Sequence, residues 1–132
     1  MSSLEPFSAR SLLFAPGDSP RKLEKASASE ADLVLVDLED GVAEAGKADA
    51  RQTVAAHLAN PERRKPLWVR INPLDGPYAR DDIAAIVAAR PDGIILPKSS
   101  GAADVTTLSW EIDALEAKAG ITAGPGKVLP IT

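Results

Sequence analysis

"ADLVLVDLEDGV", residues 31–42, holds the reading of the fold. Leu33, Val34, Leu35 and Val36 form an unbroken aliphatic run, and Asp37, Leu38, Glu39 and Asp40 follow before Gly41. A run without apolar–polar alternation reads as a strand covered on both faces, the kind found in parallel sheets. Parallel βα sheets gather their chemistry at the carboxyl ends of the strands. Three acids at such an end therefore mark a candidate site.

Four more short aliphatic runs have the same character, namely "SLLFA" (11–15), "PLWVRI" (66–71), "DGIILP" (92–97) and "KVLPI" (127–131). Between them lie segments of helical period. Val105, Leu108, Ile112 and Leu115 make one stripe within 102–119. Ile83, Ile86 and Val87 do the same in 79–89, and Val54 and Leu58 mark an Ala-rich face in 43–59. The first helix follows "GDSP", with Ser19 as N-cap and Pro20 at its first position. The expected order is β-α-β-α-β-α-β-α-β, an α/β class built from repeated βα units. An eight-stranded βα barrel needs about 250 residues. The 132 residues make about half of one: a piece of a longer protein, one of two associating halves, or a small open sheet.

The composition is ordinary for a globular chain, with 45% hydrophobic and 26% charged residues. A net charge of −4 argues against a nucleic-acid binder that works by neutralising phosphates. The absence of cysteine removes disulfides, thiolate nucleophiles and Cys-held metals. Neither a signal peptide nor an apolar run long enough for a bilayer is evident. The expected setting is soluble and cytoplasmic, without nucleic-acid or membrane partners.

Alternation along a strand puts Asp37 and Glu39 on the face of Leu33 and Leu35. Arg70 and Asn72 are expected to share a face at the end of the third strand, with Lys98 at the end of the fourth. Gly17 and Asp18 fall in the turn after the first strand. Carboxylates gathered this way need pairing or a metal, and Arg70 and Lys98 are the available cations. Two readings stand at this level: a structural ion-pair network closing the top of the sheet, and a site.

"RSLLFAPGDSPRKLEKA" (10–26), "ADLVLVDLEDGV" (31–42), "KADAR" (47–51), "WVRINPLDGP" (68–77) and "DGIILPKSSGAADV" (92–105) together resemble successive blocks of the citrate lyase beta-subunit family, which is grouped with the HpcH/HpaI aldolases and malyl-CoA lyases. The blocks keep the family's order and cover nearly the whole chain. The resemblance implies a TIM-type (β/α)8 barrel, with residues 1–132 as the N-terminal half of that single domain, from β1-α1 to β5. It implies cleavage or formation of a carbon–carbon bond beside a carbonyl, in 3-hydroxy acyl-CoA thioesters or related keto acids. Mg²⁺ would serve as the Lewis acid, and a homo-oligomer is the expected assembly. Arg70 corresponds to the group that stabilises the enolate charge, hence the catalytic candidate. Asp37, Glu39, Asp40, Asn72 and Lys98 are expected to bind substrate or to stand near the metal's waters. The family's own metal carboxylates follow the fifth and sixth strands. "KVLPIT" (127–132) resembles the start of the fifth-strand block and stops before the first of them. No direct metal ligand, and no lyase activity, is therefore expected of this stretch alone.

Gly17, Arg21 and Lys25, with Lys22 beside them, are expected near the phosphates of coenzyme A, at the start of the first helix. The competing reading of the cations is a solvated basic face. "GPGK" (124–127) lacks Walker A spacing and reads as a turn. "DLEDGV" lacks EF-hand spacing. His57 reads as a surface residue, and Trp68 and Trp110 as packing residues. Against the lyase stands one alternative from another class: a non-catalytic half-barrel serving as a CoA- or acid-binding or assembly subunit.

Overall fold

The computed structural model describes residues 11–60, 65–89, 91–98, 102–118 and 128–130. Five strands, β1 (Leu12–Pro16), β2 (Leu33–Asp37), β3 (Leu67–Arg70), β4 (Gly93–Leu96) and β5 (Val128–Pro130), alternate with helices. The helices are α1 (Pro20–Ala28), α2 (Lys47–Leu58), α3 (Ala79–Ile86) and α4 (Ala102–Lys118). Single 3₁₀ turns lead into α2 at Glu44–Gly46 and out of α3 at Val87–Ala89. α1 starts as its residues dictate: Ser19 Oγ accepts from the Lys22 amide and Pro20 sits in the first turn.

All strand pairs are parallel, and the spatial order is the chain order, β1-β2-β3-β4-β5. A doubly wound sheet reverses its strand order at a switch point, and this sheet does not. An unreversed order is that of a βα-barrel wall, so the fold is α/β with a parallel, barrel-type sheet.

Alternation along β2 sorts the core into two. Val34, Val36 and Leu38 join Ala26, Val54, Ile83, Ile86 and Leu108 in the large cluster between sheet and helices. Leu33 and Leu35 join Trp68 and Ile95 in a small cluster on the opposite, inner face. Each buried aliphatic contributes about 1.5–3 kcal/mol, so the helix-side cluster carries most of the stabilisation. Leu12, Leu13 and Phe14 on edge strand β1 remain exposed. Among the described residues no helix is long and apolar enough to cross a membrane.

Two expectations for single residues are corrected here. Trp110 is 70% exposed on α4 rather than packed. His57 is half-buried, its Nε2 lying 2.8 Å from Ser27 Oγ, so it ties α2 to α1. The turn at 124–127 lies outside the described residues.

Candidate active site

The carboxyl ends of β2, β3 and β4 bring the acids and bases together. Asp37 and Arg70 are register partners on adjacent strands. Arg70 Nε donates to Asp37 Oδ1 at 2.8 Å, and Nη2 donates to Oδ2 at 2.7 Å. The Glu39 amide adds a bond to Oδ1 at 2.8 Å, and the Gly41 amide one to Oδ2 at 2.7 Å. Each carboxylate oxygen thus accepts two bonds, and the loop after β2 is folded around the side chain of its last residue. Burial pushes the Asp37 carboxyl up, but the Arg70 bond and the two amides outweigh it, leaving its pKa lowered. The same bond from Asp37 raises that of Arg70.

Two of the five guanidinium donors are spent on Asp37. The Nη1 end has no acceptor among the described residues. The Arg70 side chain is partly open to solvent, 5.6 Å above the Phe14 ring. Glu39 stands beside it, Oε1 3.5 Å from Arg70 Nε. Its Oε2 is buried and has no hydrogen-bond partner among the described residues; the Lys98 ammonium lies 3.2 Å away. Lys98 reaches there from a left-handed backbone, φ 52°, a strained conformation for a non-glycine. Its pKa is raised by contact with Glu39 first and by Asp40, 4.0 Å away, after that. Asp40 is otherwise exposed on the rim.

The expectation that Asn72 shares a face with Arg70 fails. β3 ends at Arg70, and beyond it the chain no longer alternates as a strand. Asn72 is buried, with its Nδ2 donating to Leu38 O at 2.9 Å and to Asp82 Oδ2, and its Oδ1 accepting from Lys47 Nζ at 2.9 Å. Its amide is committed within the protein. Gly17 lies in the tight turn after β1. A Cβ there would lie 2.8 Å from both Asp37 O and Val54 Cγ2, so the backbone it lets approach is the protein's own. Arg21 and Lys25 are exposed on α1.

Sequence reasoning passed over Phe14, Lys47, Tyr78 and Asp82. Phe14 and Lys47 stand within the family-like blocks, but only the pairing of β1 with β2 and the fold of the loop after β2 show what they touch. Beside the acids opens a cavity of about 430 Å³, lined by Glu39, Asp40, Lys47, Asn72, Tyr78 and Lys98 among others. No group of three His, Cys, Asp or Glu residues able to hold a metal occurs among the described residues. Asp37 is saturated, and Glu39 faces two cations. These residues therefore do not fit a metal's own ligand set. The buried Glu39 Oε2 has its charge met by the Lys98 ammonium instead.

A family model described as HpcH/HpaI aldolase/citrate lyase matches residues 10–130. The chain is 40% identical over 101 residues to a (3S)-malyl-CoA thioesterase of Cereibacter sphaeroides, covering 76% of this chain and 35% of that protein. It is 39% identical over 117 residues to an L-malyl-CoA/beta-methylmalyl-CoA lyase of the same species, covering 86% and 37%. A citrate lyase beta subunit from M. tuberculosis, solved with oxaloacetate and magnesium, superposes with a TM-score of 0.67 at 35% identity, covering 90% of this chain and 45% of that one. The chain thus spans less than half the length of each.

Proposed function

The chain belongs to the HpcH/HpaI aldolase/citrate lyase family, and we propose that it forms the Arg70-bearing half of a barrel that cleaves or joins a carbon–carbon bond beside a carbonyl. The substrate class we assign is a 3-hydroxy acyl-CoA thioester or a related keto acid. The carrying observation is the Asp37–Arg70 pair: a guanidinium held at two points, with its Nη1 end uncommitted among the described residues at the strand-end rim. Such a group is preorganised to receive developing negative charge on an oxygen, with no reorganisation left for the moment of reaction.

In this reading Asp37 orients Arg70 rather than touching substrate. Glu39 keeps a second charge beside the guanidinium, with its Oε2 met by the Lys98 ammonium. Lys98 draws Glu39 toward the rim and gives the cavity a cation for a substrate carboxylate. A magnesium ion like the one in the M. tuberculosis relative would take its ligands from residues other than those described.

The test is to express the gene product at its natural full length and supply malyl-CoA, citramalyl-CoA and citryl-CoA, with and without Mg²⁺. Release of an acyl-CoA and a keto acid supports the lyase. Thioester hydrolysis without carbon–carbon cleavage would replace it with a thioesterase, and binding without turnover would favour a non-catalytic subunit.

A further inference from the structure

Lys47 opens α2, is buried, and meets no carboxylate among the described residues. Its ammonium donates to Leu38 O at 3.0 Å, Glu39 O at 2.9 Å and Asn72 Oδ1 at 2.9 Å, with the Tyr78 ring 5.4 Å away. Two electrostatic penalties bear on it. A buried cation loses its hydration, and the first turn of a helix repels positive charge. A methionine would fill the same space without either. All three of its donors are spent, so it has none left for a ligand in the cavity it lines.

What Lys47 does is hold two successive carbonyls. Asn72 Nδ2 supplies a second donor to Leu38 O at 2.9 Å. Asp82, buried and paired to Arg51 at 2.8 Å, anchors Asn72 in turn through the Asn72 amide at 2.9 Å and its Nδ2. The peptide so fixed is the one that aims Glu39 and sends the Glu39 amide to Asp37.

We propose that Lys47 is a positioning residue of the rim. By pinning the Leu38 and Glu39 carbonyls it keeps the Glu39 carboxylate, and through the Glu39 amide the Asp37–Arg70 pair, in the geometry the site uses. This deepens the lyase reading and rests on it for the kinetic arm of the test alone.

The experiment compares Lys47→Met with Leu58→Ala in the full-length protein. Leu58 is a core residue at the far end of α2, so its truncation reports on general destabilisation. The first readout is the NMR signal of the Arg70 Nε–H, identified by its loss in Arg70→Lys. The second is the split between kcat and KM. We expect the signal to broaden or shift in Lys47→Met and to persist in Leu58→Ala, with kcat falling roughly 10- to 100-fold in the former and KM changing far less. If Lys47→Met does not fold, Asn72→Ser, which removes one donor from Leu38 O and the side-chain amide acceptor of Lys47, is read in the same way. An unchanged Arg70 signal and kcat in a folded variant would overturn the proposal. Absence of lyase activity in the unmutated protein would overturn the functional reading instead, and the Arg70 signal would still decide the role of Lys47.

Discussion

Asp37 and Arg70 face each other as register partners across β2 and β3 and join at two points, 2.8 and 2.7 Å. Two-point geometry is what a guanidinium offers and an ammonium does not. In the protein at its natural full length Arg70→Lys keeps the charge and loses the fork. We expect kcat to fall roughly 10²–10³-fold, with substrate binding far less affected. Steady-state kinetics check this; an unchanged kcat with a raised KM would make Arg70 an anchor only.

The same pair sets an acid limit on stability. The folded-state pKa of Asp37 lies below its ordinary value. Its contribution is therefore fully present above the unfolded carboxyl value of about 3.9. It is lost as the pH falls through the lower folded value. Asp37→Asn should cost about 1.5–3 kcal/mol at neutral pH, the scale of hydrogen bonds to a charged group. It should also flatten the acid limb of the stability curve. Urea melts of both proteins from neutral to acid pH give the comparison, and parallel limbs would contradict the assignment.

Gly93 is packed against the Trp68 ring, and a Cβ there would overlap the indole. Gly93→Ala should destabilise by about 1–3 kcal/mol through overpacking. Adding Trp68→Leu should return part of that, a coupling that a double-mutant cycle measures. Additive costs would show that the two residues do not compete for space.

The 132-residue chain by itself should show neither turnover nor a clean monomer. Leu12, Leu13 and Phe14 are exposed along β1 at 47%, 40% and 54%, and an open strand edge recruits other chains. Sedimentation over a dilution series, run beside a Mg²⁺-dependent cleavage assay, tests both parts. A stable monomer with a cooperative melt would refute the second expectation, and turnover of about 1 s⁻¹ or more would refute the first.

How far these features are legible from the residues depends on where local rules stop. Strands β1 to β4 fall within a residue or so of the aliphatic runs, because unbroken Val, Leu and Ile leave a doubly covered strand little alternative. The Asp37–Arg70 contact follows from two strand ends with chemistry on one face. Asn72 escapes because alternation holds only within a strand, and β3 has already ended. Lys47 escapes because a lysine in the first turn of a helix reads as solvated. Only the fold of residues 37–41 around the Asp37 carboxylate puts two carbonyls over it. Gly17 reads as a tight-turn residue, and that a Cβ there would meet Asp37 O and Val54 Cγ2 is a consequence of packing that no spacing reveals.

The unreversed strand order also bears on how the chain reaches this state. Among the described residues every strand pairs only with its sequence neighbours, none more than about 35 residues away, so within these five strands no pairing waits for a distant segment. Assembly can then proceed as a zipper, one βα unit docking on the last, with β2 and β3 supplying the seed because both are covered early by α1 and α2. Pulse-labelled hydrogen exchange would reveal this as protection that begins at Val34, Val36 and Val69 and spreads outward toward β1 and β5.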